Sequence, residues 1–328
     1  SDYLGRDIGV ANLNNDDFGD LLIAADADDR NSRTNSGSVY VIYGSATPTD
    51  IDLASGIPSN GGFRVDGEDA NDLLGHRALE GAGDFNDDGF EDFVVGSYFA
   101  DDNSTDSGAA WVIYGSASGS NVDLDSLTAT EGIKITGRAA YSSTGRSVAG
   151  AGDVNADGID DIIVGAEGDD FQTTDAGAAY VIYGSASPSD VQLQHFTTAQ
   201  GFRILGDSAS DLLGKAVGGG ADVNGDGISD VVVAASGEDI GASNSGAVYV
   251  VYGRANHEHV DADDLNNAVQ GEGLRIDGAA ASDYLGDEGS VQLADVTGDG
   301  KVDVIAGTKN ADNDGRSQSG STWVVSAV

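Results

Sequence analysis

The sequence contains no cysteine and no methionine, and only 3 of its 328 residues are proline. Without cysteine the chain forms no disulfide and carries out no thiol chemistry. No run of apolar residues approaches about 18, so we expect no segment that inserts into a membrane. The apolar share of 39% is nevertheless large enough for a folded core.

Basic residues are scarce as well: 15 Lys and Arg stand against 56 Asp and Glu, giving a net charge of −41. Nucleic acids and anionic membranes are therefore poor partners, because binding them requires a basic patch. Three explanations of the acidity remain open: bound metal ions, adaptation to high salt, and a cationic partner. Five calcium ions would neutralise only about ten charges, so most of the carboxylates are expected on solvated surface.

What the sequence does contain is an internal repeat. Segments that begin at Asn12, Asp84, Asp153, Asp222 and Asp295 align with one another at spacings of 72, 69, 69 and 73 residues. Each repeat holds four short segments rich in Val, Ile and Tyr and bounded by Gly, Asp or Ser, which is typical of strands. In the third repeat these segments lie near residues 145–148, 162–166, 177–184 and 201–206.

Four strands in each repeat of about 70 residues predict an all-β protein, a β-propeller of four-stranded antiparallel blades. We expect one domain over 1–328, with five repeats at about 1–67, 68–137, 138–206, 207–278 and 279–328. The chain supplies 19 candidate strands, so one blade of the five has three strands. A closed five-bladed ring is the favoured arrangement, and a fragment of a longer propeller is the alternative. Short helical turns are predicted within 123–130 and 261–269.

The motif Asp-x-Asn-x-Asp-Gly-x-x-Asp precedes one strand of each repeat and matches the oxygen ligands that calcium prefers. Side chains at positions 1, 3, 5 and 9 and the carbonyl at position 7 are the predicted ligands, with position 9 closing the site through both oxygens. Position 12 falls inside a strand, which excludes a helix-loop-helix hand. The predicted ligands are Asn12, Asn14, Asp16, Phe18, Asp20; Asp84, Asn86, Asp88, Phe90, Asp92; Asp153, Asn155, Asp157, Ile159, Asp161; Asp222, Asn224, Asp226, Ile228, Asp230; and Asp295, Thr297, Asp299, Lys301, Asp303.

The number of calcium ions is predicted to be four or five, one per repeat. The first loop is the weakest, because it carries Asn12 at position 1 and Asp17 where the glycine is expected. A single such loop is equally compatible with a solvated Asx-turn that needs no metal. Five copies in register favour the metal, since closely packed carboxylates repel one another without a cation.

A Leu-Gly pair before each loop completes the pattern, at Leu4-Gly5, Leu74-Gly75, Leu213-Gly214 and Leu285-Gly286, with Thr144-Gly145 in the third repeat. In this arrangement the chain resembles the FG-GAP repeats of integrin α-subunit propellers. The resemblance implies an inner strand at Leu-Gly, calcium between the first and second strands, and ligands on the opposite face. Integrin-like propellers have seven repeats, whereas this sequence shows five.

The resemblance also implies a non-catalytic, extracellular or cell-surface protein that acts in adhesion or recognition. We expect a protein or glycan ligand at the top-face loops 26–35, 99–106, 169–175, 238–244 and 310–317, and at 68–72 with its equivalents. The alternative is a glycan-active module, either a lectin or a five-bladed propeller glycoside hydrolase with a carboxylate pair near the channel. The chain is expected to be part of a larger secreted or surface protein, from a bacterium.

Overall fold

The computed structural model describes residues 2–58, 60–255, 258–266, 271–287, 289–312 and 317–326. Within these ranges the chain is all-β, as predicted, and forms five sheets in sequence order. Nineteen strands of four or more residues make up the body of the sheets, which matches the predicted number. Three further strands of two residues each lie in the connections.

Each repeat forms its own sheet, and its strands follow one another in space as they do in the chain. The first sheet holds β1 (Leu4–Ala11), β2 (Asp20–Ala25), β3 (Ser38–Ile42) and β4 (Gly62–Asp66). The second repeat holds β5 (Leu79–Gly83), β6 (Asp92–Ser97), β7 (Ala109–Ile113), β8 (Val122–Asp123) and β9 (Gly132–Thr136). The third holds β10 (Thr144–Gly152), β11 (Asp161–Ala166), β12 (Ala178–Ile182), β13 (Val191–Gln192) and β14 (Gly201–Leu205).

The last two repeats continue the pattern, and the fifth ends after three strands. The fourth holds β15 (Leu213–Ala221), β16 (Asp230–Ala235), β17 (Ala247–Val251), β18 (Val260–Asp261) and β19 (Gly273–Asp277). The fifth holds β20 (Val291–Ala294), β21 (Asp303–Thr308) and β22 (Ser321–Ser326). Four short 3-10 helices lie in the connections at Leu53–Ser55, Leu124–Ser126, Leu193–His195 and Ala262–Asn266. The second and fourth fall inside the predicted helical turns, of which 267–269 lie outside the described residues.

Neighbouring strands within a sheet are antiparallel, and short parallel strands connect consecutive repeats. β8 of the second repeat pairs with β4 of the first, and β13 and β18 pair with β9 and β14 in the same way. Each connection therefore ties a repeat to the outer edge of the preceding sheet. The first strands lie side by side, with β5 between β1 and β10, and β15 between β10 and β20.

The core consists of layers between consecutive sheets, because strand residues alternate between the two faces. Ile163 and Val181 of the third sheet pack with Val231 and Val233 of the fourth in one fully buried cluster. The intervening residues of the third sheet, such as Ile162, belong to the cluster shared with the second sheet. Runs of Val and Ile without polar alternation follow from this burial on both faces.

A glycine that begins the third strand brings consecutive sheets close together. Gly177 has φ +80°, and a Cβ there would lie 2.2 Å from the carbonyl oxygen of Leu213 in the next repeat. The two residues form an isolated bridge, as do Gly37 with Leu74 and Gly246 with Leu285. Only glycine suits this position, because it combines a left-handed backbone with backbone contact.

The predicted closed ring is wrong for the described residues: the first strands of all five sheets border one cavity, but no strand pairing joins the last sheet to the first. Ile8 of β1 is 63% exposed, whereas Val148 at the same position of β10 is 8% exposed. Leu21 of β2 is 40% exposed, whereas Ile162 of β11 is fully buried. The last sheet has only three strands, and β1 pairs with β2 in its own sheet rather than supplying the fourth. No strand of the described chain therefore closes the ring.

Candidate metal site

The five motifs form loops that join the first and second strands of each sheet. We call them the acidic loops; they span 12–20, 84–92, 153–161, 222–230 and 295–303. They lie between β1 and β2, β5 and β6, β10 and β11, β15 and β16, and β20 and β21. Because these are all turns between the same two strands, the acidic loops share one end of the sheets.

Side chains at positions 1, 3 and 5 curl over the backbone of their own loop. In the third loop Asp153 accepts N–H groups from Asp157 at 3.0 Å and Gly158 at 2.9 Å. Asn155 accepts the same Asp157 N–H at 2.8 Å, and Asp157 accepts from Ile159 at 3.0 Å. The second and fourth loops repeat this set of bonds. The fifth repeats the bonds accepted by the side chains at positions 1 and 5, but not the one accepted at position 3, where Thr297 replaces asparagine. The predicted ligands at positions 1, 3 and 5 are thus gathered around one turn.

The aspartate at position 9 has a different environment. Asp161 is fully buried; one of its carboxylate oxygens accepts the Val154 N–H at 3.0 Å and the other accepts the Gly184 N–H at 2.9 Å. Asp20, Asp92 and Asp230 make the equivalent bonds. This aspartate connects the acidic loop to the second residue after the third strand. Each oxygen retains a second lone pair, so its predicted role as a metal ligand is compatible with these bonds and stays a prediction.

Burial makes these carboxylates difficult to ionise in the absence of a cation. It raises the pKa of Asp92 and of Asp161 to about 8 and that of Asp230 to about 6. Neighbouring loop carboxylates raise the pKa further, Asp88 and Asp84 for Asp92 and Asp157 and Asp153 for Asp161. A bound cation would reverse both effects, because it offsets desolvation and repulsion together.

This electrostatic arrangement predicts how stability depends on pH. The pKa values of Asp92, Asp161 and Asp230 are raised above the unfolded value of about 3.9, so the folded chain holds protons that the unfolded chain releases. In chelator, the contribution of these aspartates to folding stability is greatest below about pH 4, the unfolded pKa. It is lost as the pH rises toward about 8, the folded-state pKa of Asp92 and Asp161. Calcium favours the ionised form, so the gap in melting temperature between calcium and chelator is expected to widen from pH 5.5 to pH 8. Equal gaps at the two pH values, measured by differential scanning fluorimetry, would contradict this.

The first loop departs from the others, as predicted from its sequence. Asn12 donates its side-chain amide to the carbonyl oxygen of Asp16 at 2.6 Å, where an aspartate in the other loops accepts the N–H of the glycine at position 6. Asp17 at position 6 does not adopt the left-handed backbone that glycine has there, with φ +91° at both Gly89 and Gly158. Asn12 is neutral, so this loop offers a cation less charge than the others do.

The opposite end of the sheets holds a site that the sequence reasoning missed. This end, called the distal end here, comprises the loops between second and third strands and those between repeats. In the third repeat Arg138 pairs with Asp169, which also accepts the Tyr180 hydroxyl at 2.6 Å. In the fourth repeat the same positions are Asp207, Glu238 and Tyr249, and Tyr249 donates to Glu238 at 3.1 Å. An acid therefore replaces the arginine.

Asp207, Glu238 and Asp211 place carboxylate oxygens within 4.8 Å of one another, and they are the one such group of three potential ligands in the described part of the chain. Burial, followed by the charge of Glu238, raises the pKa of Asp211 to about 7. The alignment of the repeats already indicated this cluster, because Asp207 occupies the position that Arg138 occupies in the preceding repeat. Its meaning depended on the pairing of Arg138 with Asp169, which only the structure reveals.

Basic side chains also lie near the start of the first strand in four of the five repeats. The residue after the Leu-Gly pair is Arg6, His76, Arg146 and Lys215 in successive repeats. Asp26 contacts Arg6 at 3.3 Å and the Nδ1 atom of His76 at 2.6 Å. In the third repeat Glu167 contacts Arg146 at 3.1 Å and Lys215 at 2.7 Å. These bonds link adjacent sheets, which assigns the cations a structural role.

Comparison with known families finds the FG-GAP repeat at residues 4–42, 80–113, 144–182 and 213–251. Each match begins in the first strand of a sheet and ends in its third strand. The matches coincide with the first four sheets described above. The resemblance to FG-GAP repeats is therefore confirmed for four repeats, and the fifth rests on the alignment within the chain.

Relatives include two kinds of protein. Phosphatidylinositol-glycan-specific phospholipase D of Homo sapiens is 30% identical over 178 residues, which cover 49% of this chain and 18% of that protein. Integrin alpha pat-2 of Caenorhabditis elegans is 31% identical over 176 residues, covering 50% of this chain and 13% of the relative. Integrin alpha-5 of Xenopus laevis is 28% identical over 204 residues, covering 61% and 18%.

The chain thus spans less than a fifth of the length of these relatives. They are animal proteins, so they give no support to the expected bacterial source, although integrin α subunits agree with the expected extracellular or surface location. Among the described residues, none of the helices has the length and apolar character needed to cross a membrane.

Proposed function

Because this chain carries four FG-GAP repeats, we propose that it is a calcium-stabilised, non-catalytic recognition module that works outside the cell or at its surface. The observation that supports this most strongly is the recurrence of the acidic loop at the same strand junction in all five sheets. Each loop combines exposed oxygens at positions 1, 3 and 5 with a buried aspartate at position 9. Hard oxygen donors of this kind suit calcium.

Calcium would be held by the predicted loop residues and would supply a positive charge among carboxylates that now repel one another. The position-9 aspartate would connect the ion to the sheet, since its oxygens already bind backbone N–H groups of two strand ends. This gives the ion a structural role, because it would fix a polar loop that has few apolar contacts. Four complete loops and the weaker first loop account for four or five ions.

The first loop provides a gain-of-function prediction. Asn12→Asp together with Asp17→Gly restores the charge at position 1 and allows the left-handed backbone that glycine adopts at position 6 of the other loops. We expect the double variant to bind one more calcium ion with high affinity than the unmodified chain, by isothermal titration calorimetry in buffer freed of calcium. Asn12→Ala with Asp17→Ala is the matched control and should add no ion. An unchanged stoichiometry together with an unchanged affinity in the first variant would contradict the assignment of ligand positions.

Recognition is proposed to occur at the distal end, through the loops predicted from the sequence; of these, 313–316 lie outside the described residues. This end is acidic in two places, at the cluster of Asp207, Asp211 and Glu238 described above and in the second repeat. Glu68 and Asp102 flank Lys134 in the second repeat, and burial with nearby Asp69 and Asp102 raises the pKa of Asp72 to about 7. Carboxylates held this close favour a ligand with cationic groups, whether it is a protein or a glycan.

A ligand screen tests the proposal directly. The chain would be probed in calcium on a glycan array and against basic and neutral proteins, with Asp207→Asn/Glu238→Gln as the distal-end variant. Asp17→Asn/Asp87→Asn removes the same charge from two exposed positions of the acidic loops that are not predicted ligands, and serves as the control. We expect binding that the distal variant weakens at least tenfold and the control retains. Equal loss in both variants would point to general electrostatics rather than recognition.

The non-catalytic part of the proposal has its own test. The phospholipase D among the relatives is matched over 18% of its length, so its named activity is not carried over to this chain. We expect no turnover of phosphatidylinositol-glycan or of a panel of chromogenic glycosides above the buffer rate. Asp7 and Glu80 line the cavity of about 630 Å³ that is bordered by the first strands of the five sheets. Hydrolysis that disappears on Asp7→Asn or Glu80→Gln would contradict this expectation.

A further inference from the structure

Neighbouring acidic loops contact one another through the residue at position 8, which is not a predicted ligand. In the third loop this residue is Asp160, and its Oδ2 atom accepts the backbone N–H of Asp84, position 1 of the second loop, at 3.0 Å. In the second loop the residue is Glu91, whose Oε2 atom accepts the backbone N–H of Asn12, position 1 of the first loop, at 2.6 Å. An acid at position 8 thus reaches a predicted ligand residue of the preceding repeat.

The backbone before the second loop leaves room for this carboxylate. Gly83 has φ +70°, and a Cβ there would lie 2.2 Å from Oδ2 and 2.8 Å from Cβ of Asp160. Any other residue at this position would therefore displace the acceptor of the Asp84 N–H. Gly152 precedes the third loop in the same way, and a Cβ there would lie 2.5 Å from Oγ of Ser229, the residue at position 8 of the fourth loop. The close approach of position 8 is therefore matched by a glycine in the preceding repeat.

A second hydrogen bond joins the same two loops. The Ser185 N–H donates to the carbonyl oxygen of Phe85, position 2 of the second loop, at 3.0 Å. Gly184, the residue before Ser185, donates its own N–H to Asp161 at position 9 of the third loop. The second loop is therefore attached at positions 1 and 2 to residues that the third loop holds in place. The bond at position 2 recurs at the neighbouring junctions, from Ser116 to Leu13 and from Arg254 to Val154.

Calcium in the third loop would hold the backbone on both sides of Asp160, because the predicted ligands include the Ile159 carbonyl and the Asp161 side chain. We propose that Asp160 is a positioning residue for calcium in the second loop, and that it couples the second and third calcium sites energetically. Asp160 fixes the backbone of Asp84, whose side chain closes the second loop by accepting the Gly89 N–H at 2.9 Å. This inference rests on the proposed function, in which calcium occupies the acidic loops.

Coupling between two binding sites is reciprocal, so calcium in either loop raises the affinity of the other loop by the same factor. The Asp160 carboxylate also contributes a negative charge at the junction, which attracts a cation in either loop. The coupling depends on an acid at position 8, and the fourth and fifth loops carry Ser229 and Val302 there. Ser229 donates its backbone N–H to the carbonyl oxygen of Asp153 at 3.1 Å instead. The third and fourth sites should therefore be coupled more weakly.

Amide resonances of the glycines at position 6 measure calcium binding in each loop separately. Gly89, Gly158 and Gly227 donate to the position-1 aspartates of the second, third and fourth loops. Nuclear magnetic resonance spectra during a calcium titration therefore give one midpoint for each loop. Asp160→Ala is expected to raise the Gly89 midpoint at least about fivefold, because the Asp84 N–H loses a charged acceptor. The Gly227 midpoint should change less than about twofold, since the fourth loop does not contact Asp160.

Two control variants separate positioning from charge. Asp160→Asn removes the charge but keeps an oxygen that accepts the Asp84 N–H, so it should recover most of the affinity lost in Asp160→Ala. Asp87→Asn removes a charge from an exposed position of the second loop that is not a predicted ligand, and it should shift the Gly89 midpoint less than about twofold. Equal losses in Asp160→Ala and Asp160→Asn would trace the effect to charge and overturn the positioning role.

Asp157→Asn tests the coupling, because it weakens a predicted ligand of the third loop only. It should raise the Gly89 midpoint about twofold or more in the unmodified chain, and leave it unchanged in Asp160→Ala. Melting temperatures in chelator verify the fold of each variant. An unchanged Gly89 midpoint in Asp160→Ala, or an equal shift of all three glycines, would overturn this inference alone. If none of the three glycines responded to calcium in the unmodified chain, the proposed function would fail with it.

Discussion

Removal of calcium is expected to lower the melting temperature by more than about 10 °C. Each ion stabilises the folded chain by about 2.7 kcal/mol at a hundredfold excess over its dissociation constant, and at least four loops contribute. For 328 residues, an unfolding entropy of about 2.1 cal/mol/K per residue makes each kcal/mol correspond to about 1.5 °C, so the sum of about 11 kcal/mol exceeds that shift. Circular dichroism melts in calcium and in chelator, at matched ionic strength, measure the difference.

Magnesium provides the control for this experiment. Because magnesium prefers near-octahedral geometry and retains its water, it should restore little of the lost stability when added to the chelated chain. Full recovery with magnesium would indicate general screening of the −41 charge rather than specific sites. Identical melts in calcium and in chelator would mean that the acidic loops fold without any ion.

Two substitutions in the third loop, Asp161→Asn and Asp157→Asn, are expected to distinguish metal binding from structural hydrogen bonding. Asp161→Asn replaces one of the two buried carboxylate oxygens with an amide NH2 group. This group is a donor, so either the Val154 N–H or the Gly184 N–H loses its acceptor. Leaving that buried N–H unsatisfied is expected to cost about 2–3 kcal/mol. This loss should occur both in calcium and in chelator, because both bonds exist without an ion.

Asp157→Asn is the matched partner, since Asp157 lies in the exposed part of the same loop. Its amide oxygen still accepts the Ile159 N–H, so stability in chelator should change by less than about 0.5 kcal/mol. In calcium the loss of one ligand charge should reduce the stability gained at this loop. Urea denaturation in both conditions gives the four values. A loss for Asp161→Asn that appears only in calcium would show that it acts solely as a ligand.

Much of the fold could be predicted because the repeat fixes the local pattern. Val, Ile and Tyr segments between Gly and Asp gave the strands, and five aligned copies located the acidic loops between first and second strands. The short 3-10 helices at Leu124–Ser126 and Ala262–Asn266 were also expected from the connections. These features depend on residues near one another in the chain, which sequence patterns record well.

Features that depend on contacts between sheets could not be predicted in the same way. Ile8 is exposed and Val148 is buried because, among the described residues, a neighbouring sheet packs on Val148 and none packs on Ile8, although the two residues look alike in the sequence. Asp161 was recognised as a loop residue, but its bond to Gly184 spans 23 positions. The meeting of Asp207 with Glu238 likewise follows from the way that one inter-repeat loop lies beside another.

The number of metal ions per chain is the measurement that bears most directly on the calcium-loop account. The purified chain would pass through gel filtration without added calcium, and elemental mass spectrometry would quantify calcium against protein. We predict four ions with high affinity, and a fifth if the first loop also retains its ion. A chain with no bound calcium, and with no uptake when calcium is restored, would contradict the account and would leave the acidic loops as plain turns.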